Sequence, residues 1–141
     1  MTSIPAPDRF TALVEAALGQ ARIVRSMIHD MVIPHLAPLK RGAAEHIARS
    51  IDRSRIFCPE MVHDLEALLT FLEREADAGT RHGWEADECH SEGGWPTVWH
   101  DARADALLRS SAQLRRFAAS ITAVLDAVEA ERVTSRLLAG G

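Results

Sequence analysis

The sequence predicts an all-α protein, and within that class an antiparallel four-helix bundle with a long tryptophan-rich loop before the last helix. Apolar residues recur at helical spacing over most of the 141 residues. Ala, Leu, Arg and Glu dominate the helical stretches, which favours helix. Aromatic residues make up only 5% of the chain and Tyr is absent, whereas strands are usually rich in aromatic and β-branched residues.

The chain length fits one domain. We therefore assign residues 1–141 to a single helical-bundle domain, in which the proline-containing residues 1–7 form a flexible tail. The first helix is predicted to end near Pro34, because proline lacks a backbone donor and clashes with the preceding turn. Its apolar stripe consists of Phe10, Val14, Ala17, Ala21, Val24, Ile28 and Met31.

Two helices of different strength are predicted in the middle of the chain. The weaker one covers residues 39–55 and is expected to bury Ala43, Ile47 and Ile51. The stronger one begins at Pro59, a residue that suits the first position of a helix, and ends at Gly79.

The last helical region is predicted from Pro96 or Thr97 to about Leu138. A helix of roughly forty residues is about 60 Å long, which exceeds every other helix predicted in this chain. Either it breaks near Ser110 and Ser111, or its end projects and pairs with another subunit. We favour the second alternative, a homodimer.

Residues 81–100 interrupt the helical pattern and contain all three tryptophans. Tryptophan is favoured at protein-binding hot spots, so this segment is a predicted partner-binding element. Two alternatives stay open: an ordered connection with a purely structural role, and a zinc site, because His, Cys and carboxylates are zinc ligands. The predicted binding residues are Trp84, Cys89, His90, Trp95, Trp99 and His100.

The charge distribution narrows the choice of partner. The formal net charge is −4, and residues 77–92 hold five acidic residues and one Arg, so this segment alone accounts for it. A basic footprint for nucleic acid is missing. No apolar run approaches the roughly 20 residues of a membrane span, and no signal-peptide pattern opens the chain. We therefore expect a cytoplasmic protein without a nucleic-acid or membrane partner.

A metal site inside the bundle is the main alternative. Glu60 and His63 lie three residues apart on one helical face, as in the Glu-x-x-His element of di-metal bundles. The surrounding EMVHDLEALLTFLE, residues 60–73, resembles the Glu-His helix of hemerythrin-like bundles. That resemblance implies a divalent metal, Fe or Zn, held where His29, Glu60 and His63 converge, with possible oxidoreductase or hydrolase activity.

Two further resemblances involve His29. The string HDMVIP, residues 29–34, resembles the phosphorylated helix of histidine-kinase dimerisation domains, which implies a phosphotransfer bundle with His29 as the acceptor. His29 with Arg25, followed by the pair His63 and Asp64, is similar to the metal-binding histidines of His-Asp phosphohydrolases. That similarity implies a metal-activated water as the nucleophile.

None of these catalytic patterns is complete in the sequence. Glu-x-x-His occurs once, and the last helix, from Ala102 to Leu138, contains no histidine. The leading prediction is therefore a non-enzymatic binding or regulatory module that acts through protein–protein contacts, with another protein or a second copy as partner. The partner is expected to meet the tryptophan segment or the exposed end of the last helix.

Overall fold

A computed structural model of the protein describes the backbone of residues 6–86 and 94–140, and the side chains of residues 9–79 and 101–140. Four α helices carry the fold: α1 (Ala6–Met27), α2 (Gly42–Asp52), α3 (Pro59–Ala78) and α4 (Ala102–Gly140). Two short strands, β1 (Thr80–Ala86) and β2 (Gly94–His100), lie between α3 and α4. All four helices contribute to the buried apolar core, so the all-α prediction is confirmed.

Helix α1 continues into a wider turn that lies just before Pro34. It begins at Ala6, so the last two residues of the predicted tail are helical, and residues 1–5 lie outside the described part. Residues Ile28–Val32 form a π turn in which the Ile33 amide donates to the Ile28 carbonyl, five residues earlier. A 3-10 turn, Ile33–His35, follows and contains the proline, which cannot continue an α-helical ladder.

Helix α2 is shorter than predicted. Pro38–Lys40 form a separate 3-10 turn, and α2 ends at Asp52. Ser54 then adopts a left-handed backbone conformation with φ of 58°. The predicted burial of Ala43 is wrong, because the helix buries Ala44 and leaves Ala43 exposed. The boundaries of α3 are those predicted, with Pro59 in its first turn and Gly79 at its C-terminal cap.

The segment before α4 differs from the predicted long loop. β1 and β2 pair antiparallel from Thr80 opposite His100 to Ala86 opposite Gly94. An irregular loop is therefore not observed in these two stretches. The predicted start of α4 at Pro96 or Thr97 is also wrong, because both residues belong to β2 and the helix begins at Ala102.

The antiparallel pair β1–β2, which we call the ribbon, is connected to the helices through Gly79 at the end of α3 and Asp101 before α4. We call this connection the joint. The Asp101 amide donates to the Gly79 carbonyl over 3.0 Å. Asp101 also caps α4, since its Oδ1 accepts from the Ala104 amide at 2.6 Å. A Cβ at position 79 would lie 2.5–2.7 Å from the Asp101 carboxyl group. Glycine is thus required here by the close approach of this cap.

We expect Gly79→Ala to cost about 1 kcal/mol, because the new methyl group displaces the capping carboxylate. Asp101→Ala should cost a similar amount, and the double variant less than the sum, since both changes remove one interaction. Urea denaturation of the three variants measures this. Gly19→Ala is the matched control: its Cβ meets nothing within 4 Å, so stability should rise. Additive costs at positions 79 and 101 would contradict the coupling.

Helix α4 is one uninterrupted element of 39 residues and packs against both α1 and α3. Gln20 of α1 is hydrogen-bonded to Gln113 of α4, and Glu73 of α3 pairs with Arg115 of α4. The break considered near Ser110 and Ser111 does not occur. Both serines are buried, and their hydroxyls donate to carbonyls one turn earlier, at 2.8 and 2.9 Å.

A polar cluster ties the chain segment before α2 to α3 and α4. The Glu75 carboxylate accepts from Lys40 Nζ at 2.9 Å and from Arg103 Nη2 at 3.4 Å. Arg103 also donates through Nε to the His35 carbonyl at 2.8 Å and through Nη1 to the Glu75 carbonyl at 3.0 Å. Only 13% of the Glu75 side chain is exposed. Hydrogen bonding to Lys40, supported by the charges of Lys40 and Arg103, lowers the pKa of Glu75 below its ordinary 4.5.

Candidate functional site

The three residues predicted to hold a metal ion do not form a single site. His29 lies on the π turn, whereas Glu60 and His63 lie in the first turns of α3, and all three are exposed. Among the described residues, no group of three or more His, Cys, Asp or Glu side chains is placed to hold a metal ion. The convergence expected for a hemerythrin-like or His-Asp type centre is therefore not observed.

His29 instead borders a shallow pocket of about 300 Å³ between the π turn and α2. Charged side chains of both signs line it, and one of them, Asp52, is ion-paired with Arg25. Arg41 is held in place by donating from Nε to the Leu36 carbonyl at 2.8 Å. The lining residues are His29, Ile33, Arg41, Glu45, Ala48, Arg49 and Asp52.

The predicted binding residues of the tryptophan segment fall into two groups. Trp84 lies in β1, and Trp95, Trp99 and His100 lie in β2. In the register of the ribbon, Trp84 is opposite Pro96 and Trp99 is opposite Arg81. Cys89 and His90 lie outside the described residues. Partner binding through this segment stays a prediction.

The end of α4 extends beyond the helices that cover the rest of it. At about 1.5 Å per residue, α4 is about 58 Å long, whereas α1 and α3 reach only about 33 and 30 Å. Buried positions on α4 end at Val124, and every residue from 128 to 140 is exposed. We call residues 126–140 the α4 extension.

Apolar side chains on this extension form their own stripe. Leu137 and Leu138 are 74% and 79% exposed, and Val133 is 44% exposed. Clustered apolar side chains in water usually mark an interaction surface. We define the distal stripe by its five members: Ala127, Ala130, Val133, Leu137 and Leu138.

The distal stripe lies nearly opposite the face by which α4 packs on its own core. Residues of an α-helix advance by about 100° each. On that basis Phe117, Ile121 and Val124, all buried, point to one side, and Ala130 and Leu137 point to the other. The apolar side of α4 therefore changes after Val128, which lies seven residues after Ile121 and on the same side. The stripe is not an unfinished part of the chain's own core but a second apolar face.

A groove connects this stripe with the N-terminal part of α1. Its volume is about 550 Å³. Phe10, predicted to point inward, is instead 39% exposed and forms part of the groove wall. The lining residues are Arg9, Phe10, Leu13, Ala127, Val128, Ala130, Glu131 and Thr134. The groove and the distal stripe together form one continuous surface, which we call the distal surface.

The sequence predicts a contact region at the end of the last helix, which stays a prediction, but it does not predict the groove. The contribution of α1 to it depends on how α1 and α4 pack, which no local pattern specifies. The change of apolar side after Val128, in contrast, can be seen when the sequence is plotted on a helical wheel.

The chain matches no known protein family, no curated protein and no solved structure. None of the described helices combines the length and hydropathy that a membrane span requires. The distal surface must therefore be interpreted from its own chemistry.

Proposed function

We propose that this protein is a cytoplasmic, non-enzymatic binding or regulatory module, built as an antiparallel four-helix bundle, and that it acts by binding an amphipathic helix on its distal surface. The antiparallel arrangement is supported by two observations on α1 and α4. Phe10 and Val128 line the same groove, and Gln20 is hydrogen-bonded to Gln113, so position along α4 decreases as position along α1 increases.

The observation that carries the proposal is the exposed distal stripe. Helix-in-groove recognition uses anchors at positions i, i+3, i+4 and i+7. Ala130, Val133 and Leu137 follow the i, i+3, i+7 pattern. A helix that lies along them also reaches the wall formed by Phe10 and Leu13. Covering these side chains removes apolar area from water, which contributes about 25 cal/mol per Å².

Site-specific photo-crosslinking in cells tests this function. A benzophenone amino acid placed at Val133 or Leu137 is expected to give discrete crosslinked products, several-fold above background. The matched controls are Ser135 and Ala139, which are equally exposed but lie on the opposite side of α4. Both stripe positions should crosslink to a single helical segment of one partner, as mapped by mass spectrometry.

Two outcomes contradict the proposal. One is the absence of crosslinks from either stripe position. The other is an equal yield from stripe and control positions, which indicates random collision rather than docking. As a further requirement, Leu137→Asp should abolish the product formed from Val133 while leaving the helical circular dichroism signal unchanged.

A further inference from the structure

We infer that the helix bound on the distal surface is the α4 extension of a second copy of this chain, lying antiparallel to the first. This inference rests on the proposed function, because it names the partner of the same surface. It is argued from the charges beside the distal stripe, from the register that those charges imply, and from the position of the groove.

The charges beside the stripe are self-complementary only in the antiparallel direction. Glu129 lies on one side of the stripe near its start, and Arg136 lies on the same side near its end. In a parallel pair, this side of one helix faces the other side of its partner, where Thr134 carries no charge. In an antiparallel pair, Arg136 of each copy lies beside Glu129 of the other. Charge pairs of this kind set partner choice and orientation in paired helices.

Glu129 is available for such a contact. Its nearest partner within the chain is Arg132, at 3.7 Å, and both side chains are 60% exposed. A surface pair of this kind contributes little stability. No ion pair of Arg136 is observed within the described part of the chain. Contact with a second copy would therefore not compete with any strong interaction inside the first.

The register that places Arg136 beside Glu129 also fills the groove. In that register, Leu138 of one copy lies at the level of Ala127 of the other, and both residues lie on the side of the stripe that borders the groove. Ala127 lines the groove together with Phe10. Leu138, which is 79% exposed, therefore meets the groove of the second copy. Because the arrangement has twofold symmetry, both grooves are filled at once.

The overlap covers residues 126–139 of each copy, about 21 Å of helix. A helix pair of four turns is small by the standards of stable complexes, and the two α1 walls supply the additional apolar area. An interface at the low end of the usual size range is typical of weak complexes. We therefore expect a dissociation constant on the order of micromolar.

Sedimentation equilibrium of the full-length chain tests the inference. The wild type should change from monomer to dimer over the micromolar range. Glu129→Arg and Arg136→Glu should each weaken self-association at least tenfold, since each places like charges together twice. When the two variants are mixed, they should form a heterodimer, because every Arg of one then faces a Glu of the other. The double variant E129R/R136E should dimerise by itself.

Arg22→Glu is the matched control. It makes the same change of charge as Arg136→Glu at an exposed position of α1 that lies outside the distal surface. Its dissociation constant should stay within about threefold of the wild type, as expected for a residue outside the interface. All variants change exposed positions, so their circular dichroism spectra should match the wild type.

The outcomes separate this inference from the proposed function. A wild type that stays monomeric up to several hundred micromolar overturns self-association, and so does a dimer unaffected by either charge reversal. If Val133 and Leu137 then crosslink to a helix of a different protein in cells, the proposed function stands without the second copy. If the chain is monomeric and no crosslink forms, both are wrong.

Discussion

Replacing Phe117 with alanine is expected to lower the free energy of unfolding by about 3–5 kcal/mol. Phe117 is fully buried and is among the largest side chains of the core. It lies in the part of α4 that packs against both α1 and α3. Its removal therefore leaves a cavity bordered by three helices, which can collapse only partly. Urea denaturation monitored by circular dichroism measures the loss.

Phe10→Ala is the matched control for this prediction. It removes the same atoms from α1, but Phe10 is 39% exposed at the groove wall and not part of the core. Its cost in the monomer should stay below about 1.5 kcal/mol. Equal costs at the two positions would mean that α4 does not form the centre of the core.

The second large effect is expected at Arg103. Arg103→Ala should lower the free energy of unfolding by about 2 kcal/mol. It removes a charged donor from three acceptors: the His35 carbonyl, the Glu75 carbonyl and one carboxylate oxygen of Glu75. Arg103→Lys keeps the charge, but a single ammonium group cannot reproduce the planar fork that spans these acceptors. The lysine variant should therefore recover less than half of the loss.

The pH dependence of the Arg103→Ala defect provides a separate check. The pKa of Glu75 is lowered in the folded protein, so its carboxylate stabilises the fold above pH 4.5 and less as the pH falls through the folded pKa. The difference in the free energy of unfolding between the wild type and Arg103→Ala should be largest at neutral pH. It should narrow below pH 4.5, as Glu75 becomes protonated. A gap that is constant with pH would show that the Glu75 carboxylate contributes nothing to the effect.

The strongest sequence signals were those in which local chemistry decides the outcome. Pro59 suits a helix start and Gly79 a helix end, and α3 has those boundaries. The helical spacing of apolar residues in the first predicted helix places Ala17, Ala21, Val24 and Ile28 on one stripe, and these residues are buried.

The predictions that failed depended on packing. Ala43 and Ala44 are chemically equivalent, so only the rotation of α2 against its neighbours decides which of them is buried. Phe10 fits the periodic pattern of α1, but no helix covers it at the end of the bundle. The π turn before Pro34 depends on one additional residue per turn, and the apolar pattern through Ile28 and Met31 does not reveal it.

The candidate site was predictable only in part. The excess length of the last helix pointed to a contact at its end, because a helix longer than its neighbours leaves part of its surface uncovered. The residues that make this surface chemically specific were not identified. They include Phe10 and Leu13, which approach α4 only after the chain has folded.

The joint between Gly79 and Asp101 has a consequence for how this chain can diverge. Because the two residues are hydrogen-bonded through their backbones, residues 80–100 can lengthen, shorten or change composition while the register between α3 and α4 is preserved. The acidic charge concentrated there can therefore be redistributed by mutation at little cost to the core. A variant with a tight turn in place of this segment should keep the same helical core.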